Sequence, residues 1–218
     1  MSLSDLNWQP SLFGGDAPSF DPSFAAVQRI QLDATSWVDH APGWVESADA
    51  LFAELIERLP WGQRTVHMYE RKVQEPRLTS LWRVGQGTAL EPPILEEMRA
   101  ALGRRYGLDF DSVGFNLYRD GRDSVAWHGD RISKEISHPI VVLVSVGEPR
   151  RFLLRPKEGG SSRAFALGHG DLLVTGGDSQ RTWQHSVPKV AKAGPRISIA
   201  YRHGLELAVE NNLQATEE

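Results

Sequence analysis

The apolar positions of this 218-residue chain change period partway along it. Between Glu46 and Arg58, Ala50, Leu51, Leu55 and Ile56 recur at helical spacing, with Ser47 placed to cap the helix and Pro60 to stop it. A second helix is expected from Ile94 to Tyr106. Pro92 and Pro93 introduce it, Ile94, Leu95, Met98 and Leu102 share one face, and Gly107 ends it. Beyond that point the pattern is that of strands. Val113–Tyr118 alternates, and Pro139–Ser145 is an apolar, β-branched run suited to a buried strand. Arg151–Leu154, Ser162–Leu167, Asp171–Val174 and Arg196–Tyr201 are further short strands, separated by glycine and proline clusters. Earlier, Gln28–Leu32 and Val66–Tyr69 alternate, and Glu75-Pro76-Arg77 reads as a turn. Many short strands punctuated in this way predict a sandwich or jelly roll. Residues 1–25 are rich in Pro, Gly, Ser and Asp and are expected to lie irregularly across the body. The polar tail after Leu207 is expected to fray.

Composition narrows the chemistry. The chain contains no cysteine, which excludes disulfides, thiolate metal sites and a cysteine nucleophile, so a metal site must use His and carboxylate. No apolar run reaches spanning length and no signal-peptide pattern is present, so a cytoplasmic protein with no membrane partner is expected, as a monomer. The net charge is -4, unevenly spread. Residues 1–60 hold nine acids and two bases, 205–218 hold four acids and no base, and 61–204 hold 22 bases against 15 acids. A basic body between acidic ends suits a phosphate-bearing partner and equally suits an ordinary solvated surface. Residues 61–89 interleave rings and cations (Trp61, Arg64, His67, Tyr69, Arg71, Lys72, Arg77, Trp82, Arg83). That mixture serves base stacking and phosphate neutralisation, or a half-buried sheet with cations at its rim.

The candidate chemistry centres on Trp127-His128-Gly129-Asp130. Two positions apart in an extended segment, His128 and Asp130 point the same way and together can hold a divalent cation. His185 follows 55 residues after Asp130, a distance compatible with a strand on the opposite side of a barrel. Two His and one carboxylate form the facial triad of non-haem Fe(II) oxygenases. Arg196 and Arg202, six apart on one strand, face the same side, and burying both calls for anionic partners. Asn116 and Tyr118 offer an amide and a phenol from one face of the strand leading into the motif. Each feature has a plainer reading: a surface histidine, surface ion pairs, a core aromatic.

In this order and spacing, Asn116-x-Tyr118, Asp120-Gly121, His128-x-Asp130, Gly168-His169-Gly170-Asp171-Leu172-Leu173, His185-Ser186-Val187-Pro188, Arg196 and Arg202 resemble the AlkB family of Fe(II)- and 2-oxoglutarate-dependent dioxygenases. The resemblance covers roughly 60–205. Pro76-Arg77-Leu78-Thr79-Ser80 resembles the lid of its DNA-repair branch. It implies a mainly β fold with flanking helices: a double-stranded β-helix (jelly-roll) core under an N-terminal nucleotide-recognition lid. The expected divisions are an extension packing on the core over 1–45, helices and lid over 46–112, the core over 113–205, and the tail over 206–218. It further implies Fe(II) held by His128, Asp130 and His185, with 2-oxoglutarate and O2 as cosubstrates. Arg196 and Tyr118 would meet the distal carboxylate of 2-oxoglutarate. Arg202 and Asn116 would lie near the keto-acid end and Asp130. Trp82 and His128 would sandwich a flipped base, with Tyr69 in reserve, and Arg77 would meet phosphate. Two departures stand out. Arg131 occupies the place where the family often has an acid that meets the substrate base, and Gly85-Gln86-Gly87 shortens the aromatic hairpin after the lid.

The implied reaction is oxidative dealkylation of N-alkylated nucleobases, such as 1-methyladenine and 3-methylcytosine, in DNA. It releases succinate, CO2 and an aldehyde. The base must be single-stranded or flipped out to reach a buried iron. Arg131 keeps an RNA or tRNA demethylase or hydroxylase in view. A protein or small-molecule hydroxylase on the same barrel would lack salt-dependent affinity for nucleic acid.

Overall fold

The computed structural model describes residues 2–9, 16–68, 71–130, 132–133 and 135–204. After a 3-10 turn at Leu3–Asp5 come β1 (Ser19–Phe20), β2 (Gln28–Gln31), β3 (Ser36–Ala41), β4 (Val45–Glu46) and α1 (Ala48–Arg58). Then follow β5 (Thr65–Met68), β6 (Arg71–Gln74), β7 (Leu78–Arg83), α2 (Pro93–Tyr106), β8 (Ser112–Tyr118) and β9 (Val125–His128). The chain continues through β10 (Val141–Gly147), β11 (Arg150–Pro156), β12 (Arg163–Leu167) and β13 (Asp171–Gly177). It ends in a short α3 (Ser179–Thr182), β14 (Trp183–Val187) and β15 (Arg196–Arg202).

Two antiparallel sheets form the body. The major one has seven strands in the order β2-β3-β13-β10-β15-β8-β7, and the minor one four in the order β12-β11-β14-β9. Because strand side chains alternate, the major sheet carries two cores. Val113, Phe115, Leu117, Val142, Val144, Ile197, Ile199 and Tyr201 face α1 and α2, meeting Leu51, Phe52, Leu55, Leu95, Met98 and Leu102. Tyr118, Val141, Leu143, Leu173 and Ala200 face the minor sheet, meeting Phe152, Leu154, Phe165, Leu167, Trp183 and Val187. The expected jelly roll with flanking helices is thus the fold. No helix among the described residues is long and apolar enough to cross a membrane.

Two sequence expectations change. The 1–45 division does not follow the sheet, since β2 and β3 are strands of the major sheet, with β3 paired to β13 from Ala41↔Leu172 to Ser36↔Gly177. The earliest residues do lie across the helical layer: Trp8 packs on Phe52 with ring centroids 4.4 Å apart, and Phe20 on Trp44 at 4.9 Å. Ser47 precedes α1 but makes no side-chain cap; it sits at φ 49°, in the left-handed region. At the other helix Gly107 does supply the left-handed C-terminal residue, φ 68°, that the pattern predicts.

Candidate metal and cosubstrate site

The site lies in the layer between the two sheets. From the minor sheet, β14 presents Trp183, His185 and Val187 to that layer, and β9 lies alongside with His128 directly opposite His185. The sequence reading put these histidines on opposite sides of a barrel; they are cross-strand neighbours, with ring centroids 4.2 Å apart. The pairing contains an irregularity: two residues separate His128 from Val125 on β9, where one separates His185 from Val187 on β14. Such a bulge re-aims side chains. Without it, Val125, which packs on the inter-sheet core, and His128, three positions on, would face opposite ways. Trp127 instead turns outward, where the Arg155 guanidinium stands 4.2 Å from the centre of its ring.

Asp130 lies just past the end of β9 rather than within an extended segment. One ligand atom each from His128, Asp130 and His185 falls within 4.8 Å of the others, the one such His/carboxylate group among the described residues. The His128 Nδ1–H donates to the Ala126 carbonyl at 2.9 Å, which leaves the Nε2 lone pair for a metal. Burial pushes His185 down to about 4, against the pull of Asp130, so it is a neutral imidazole at pH 7. Burial alone would raise Asp130, but the Arg202 guanidinium and the two histidines hold it below the ordinary carboxylate range. Arg202 Nε and Nη2 both donate to Asp130 Oδ1, at 3.1 and 2.9 Å. The other oxygen, Oδ2, is buried and has no hydrogen-bond partner among the described residues. Arg202 pairs with Ser112 and can lie back along the sheet over Gly114, two positions further along β8, where a Cβ would come within 3.0 Å of Nη1.

The major sheet supplies the rest. Arg196 is 1% exposed, and its Nε donates to Ser145 Oγ at 2.8 Å. Neither of its Nη atoms meets an acceptor among the described residues. Burial draws Arg196 down to about 10, which leaves it charged at neutral pH. A buried cation with an unsatisfied fork costs on the order of several kcal/mol, and a carboxylate is the ligand whose two oxygens match that fork. Tyr118 pairs with Arg196 across β8 and β15, its ring centre 5.4 Å from the guanidinium carbon. Burial raises its phenol, so it stays a neutral donor. The residues present therefore fit both absent groups. A metal fits the unpartnered Asp130 Oδ2 beside two imidazoles, and a carboxylate fits the unpartnered Arg196 fork.

Other sequence-predicted residues fall elsewhere. Asn116 shares the face of Tyr118, but its Oδ1 accepts a hydrogen bond from Arg77 Nε at 2.9 Å. Arg77 also pairs with Glu75 at 3.2 Å, so it is committed to the body of the protein and not open to a phosphate. Trp82 does not stack over the metal. Its register partner is Val113, which faces the helices, and Trp82 packs there with its Nε1–H donating to the Thr88 carbonyl at 2.9 Å. The β7 residues on the metal side are Thr79, Leu81 and Arg83, paired with Asn116, Gly114 and Ser112, and Leu81 is 49% exposed. Accordingly, Trp82→Ala is expected to lower stability by roughly 3 kcal/mol, as large-to-small changes in a packed layer do, while kcat/KM for substrate stays within a few-fold of wild type. A selective loss of substrate affinity at unchanged melting temperature would contradict this placement. Tyr69 and Arg131 lie outside the described residues. Sequence reading missed Ser145 and Arg150. Arg150 is buried beside Tyr118 and heads a run whose alternate members, Phe152 and Leu154, face inward.

The comparisons with known proteins agree with this geometry. The profile of the 2OG-Fe(II) oxygenase superfamily matches residues 40–202. The chain is 34% identical over 199 residues to the alpha-ketoglutarate-dependent dioxygenase alkB homolog 3 of Bos taurus, covering 81% of this chain and 70% of that protein. It is 27% identical over 211 residues to the DNA oxidative demethylase ALKBH2 of Homo sapiens, covering 87% and 80%. The solved structure of OsALKBH1 superposes with a TM-score of 0.58 at 15% identity, covering 80% of this chain and 99% of that one, a likeness of fold. The chain therefore belongs to the 2OG-Fe(II) oxygenase superfamily and, within it, to the AlkB family of dioxygenases, enzymes that work with Fe(II), 2-oxoglutarate and O2.

Proposed function

We propose that this dioxygenase removes alkyl groups from ring nitrogens of nucleobases in DNA. The observation that carries the reading is the pairing, across one buried layer, of the His128/Asp130/His185 group with the unsatisfied fork of Arg196. Its similarity to a DNA oxidative demethylase and to alkB homolog 3 directs that chemistry toward alkylated nucleic acid.

When bound, Fe(II) and 2-oxoglutarate supply the activation of dioxygen, with conversion of the keto acid to succinate and CO2. The chain's own residues prepare that chemistry. His185, neutral at pH 7, offers its lone pair without a proton having to leave, and His128 turns Nε2 to the metal because its Nδ1 is engaged by the Ala126 carbonyl. Asp130 offers Oδ2 because Arg202 occupies Oδ1. Arg196 takes the distal carboxylate of the keto acid, and Tyr118 stands beside it as a neutral donor. The minor sheet covers this layer and keeps bulk water from the reacting centre. The edge strand β7, whose exposed Leu81 gives an apolar rim on the metal side, supports a substrate path over that edge, with the paired strands β5 and β6 beside β7 as its lid in this reading.

The test is mass spectrometry of oligonucleotides carrying 1-methyladenine or 3-methylcytosine, in DNA and RNA of one sequence, with Fe(II) and 2-oxoglutarate. The expected result is loss of the mass of one methylene per lesion, faster on DNA. Faster loss on RNA would move the substrate to RNA, the alternative that Arg131 in place of an acid keeps in view. No loss on either would sink the nucleobase assignment.

A further inference from the structure

The AlkB-type motif accounts for Arg196 and Arg202 but leaves a third buried cation in the same layer. Arg150 is 3% exposed, at the start of β11 and on its inward face. Its Nη1 donates to the Asp120 carbonyl at 3.0 Å, and its Nη2 donates to the carbonyls of Asp123 and Pro188 at 2.9 and 2.8 Å. Those acceptors belong to two different loops. Residues 120–123 follow the strand that carries Tyr118, and Pro188 follows the strand that carries His185. The loops are closely fitted there: Val190 N–H donates to the Gly121 carbonyl at 2.8 Å, and a Cβ on Gly121 would come within 2.3 Å of the Val190 carbonyl oxygen. Arg150 Nε is buried and has no partner among the described residues. The guanidinium carbon lies 5.5 Å from the centre of the Tyr118 ring, the same ring that Arg196 approaches at 5.4 Å.

A buried arginine that only tied loops together would be expected to sit near a balancing carboxylate. The carboxylate of Asp123 is instead taken by Arg119, through Nε at 2.7 Å and Nη2 at 2.9 Å, and that of Asp120 by Arg122 at 2.6 Å. Asp123 and Asp120 still act on the Arg150 charge, but neither forms an ion pair with it, and its guanidinium stands by the Tyr118 ring.

We propose that Arg150 is a positioning residue for the keto acid. It fixes the two loops that back the Tyr118–Arg196 end and adds a second positive charge there, so that the pocket prefers a dianionic 2-oxo acid over a monoanionic one. This rests on the reading that Arg196 receives the distal carboxylate. Its own content is the discrimination between 2-oxoglutarate and 2-oxopentanoate, which puts a methyl group where 2-oxoglutarate has that carboxylate.

The experiment is calorimetric binding of each keto acid to the full chain loaded with Mn(II), so that no turnover is involved. Wild type, Arg150→Gln, Arg150→Lys and Arg196→Gln are compared, with a melting curve for each. Arg150→Gln is expected to weaken 2-oxoglutarate roughly tenfold, as loss of a charge near a buried anion does, and to leave 2-oxopentanoate within about twofold. Arg150→Lys is expected to keep most of the preference while melting lower, because it retains the charge and cannot reach three carbonyls. If the Gln variant does not fold, Arg150→Met, which fills the space without charge, takes its place. An unchanged preference in Arg150→Gln, with the preference lost in Arg196→Gln, would overturn the role of Arg150 alone. An unchanged preference in both would overturn the assignment of Arg196 as well.

Discussion

Replacing Asp130 by alanine is expected to lower turnover by more than roughly a hundredfold and to weaken Fe(II) binding in step. Even groups standing behind metal ligands cost about 10–100-fold when removed, so a ligand should cost more. The reason is specific to this site. Asp130 Oδ2 is the one carboxylate oxygen in the His128/Asp130/His185 group left without a partner, while Oδ1 is fixed by Arg202. Alanine also leaves Arg202 facing the layer unpaired, which costs stability, so Asp130→Asn serves as the shape-preserving control. Metal titration followed by tryptophan fluorescence separates the two effects. A fully folded Asp130→Ala that binds Fe(II) as the wild type does would remove Asp130 from the metal.

Arg196→Met is the second large effect and has an unusual signature. Arg196 is a buried cation whose Nη atoms meet no acceptor among the described residues. Exchanging a buried charge for an apolar side chain of similar length is often neutral or stabilising by about 1–4 kcal/mol. The variant is therefore expected to melt at or above the wild-type temperature without 2-oxoglutarate. Its KM for 2-oxoglutarate should rise by more than roughly a hundredfold, the least that two charge-assisted hydrogen bonds at ~1.5–3 kcal/mol each are worth. Added 2-oxoglutarate should stabilise the wild type and not the variant, since a ligand stabilises only the fold that binds it. Thermal melts with and without the keto acid check both halves. A variant that melts far lower than wild type and still responds to 2-oxoglutarate would make Arg196 a structural residue.

Most of the keto-acid side of this site is legible in the sequence because its residues obey strand periodicity. Arg196 and Arg202 share a face six apart, and Asn116 and Tyr118 share one two apart, as the alternation requires. The jelly roll is legible for the same reason: short alternating runs between glycine and proline clusters form strands β8, β10 to β13 and β15, with bounds shifted by up to three residues. Periodicity fails at the irregularity in β9. It cannot foresee that Val125 and His128 share a face, nor that β9 lies beside β14. It fails again on β7. Trp82 looks like a stacking residue by type, but the pairing Trp82↔Val113 turns it toward the helices and leaves Leu81 at the rim. Which face an edge strand presents is set by its neighbour's register, which its own sequence does not contain. Arg150 was hidden by Arg151. Two adjacent arginines give no sign of which one points inward until β11 is placed against β12 and β14.

The proposed activity depends on one assignment, that His128, Asp130 and His185 hold iron while Arg196 holds the keto acid beside it. Anaerobic addition of Fe(II) and 2-oxoglutarate to the wild-type chain tests it most directly, because a keto acid chelated to ferrous iron gives a visible charge-transfer absorption. That band is expected in the wild type, is lost in Asp130→Ala, and in Arg196→Met returns only at far higher 2-oxoglutarate. A wild-type chain that shows no band, or an Asp130→Ala chain that shows it undiminished, would contradict the assignment.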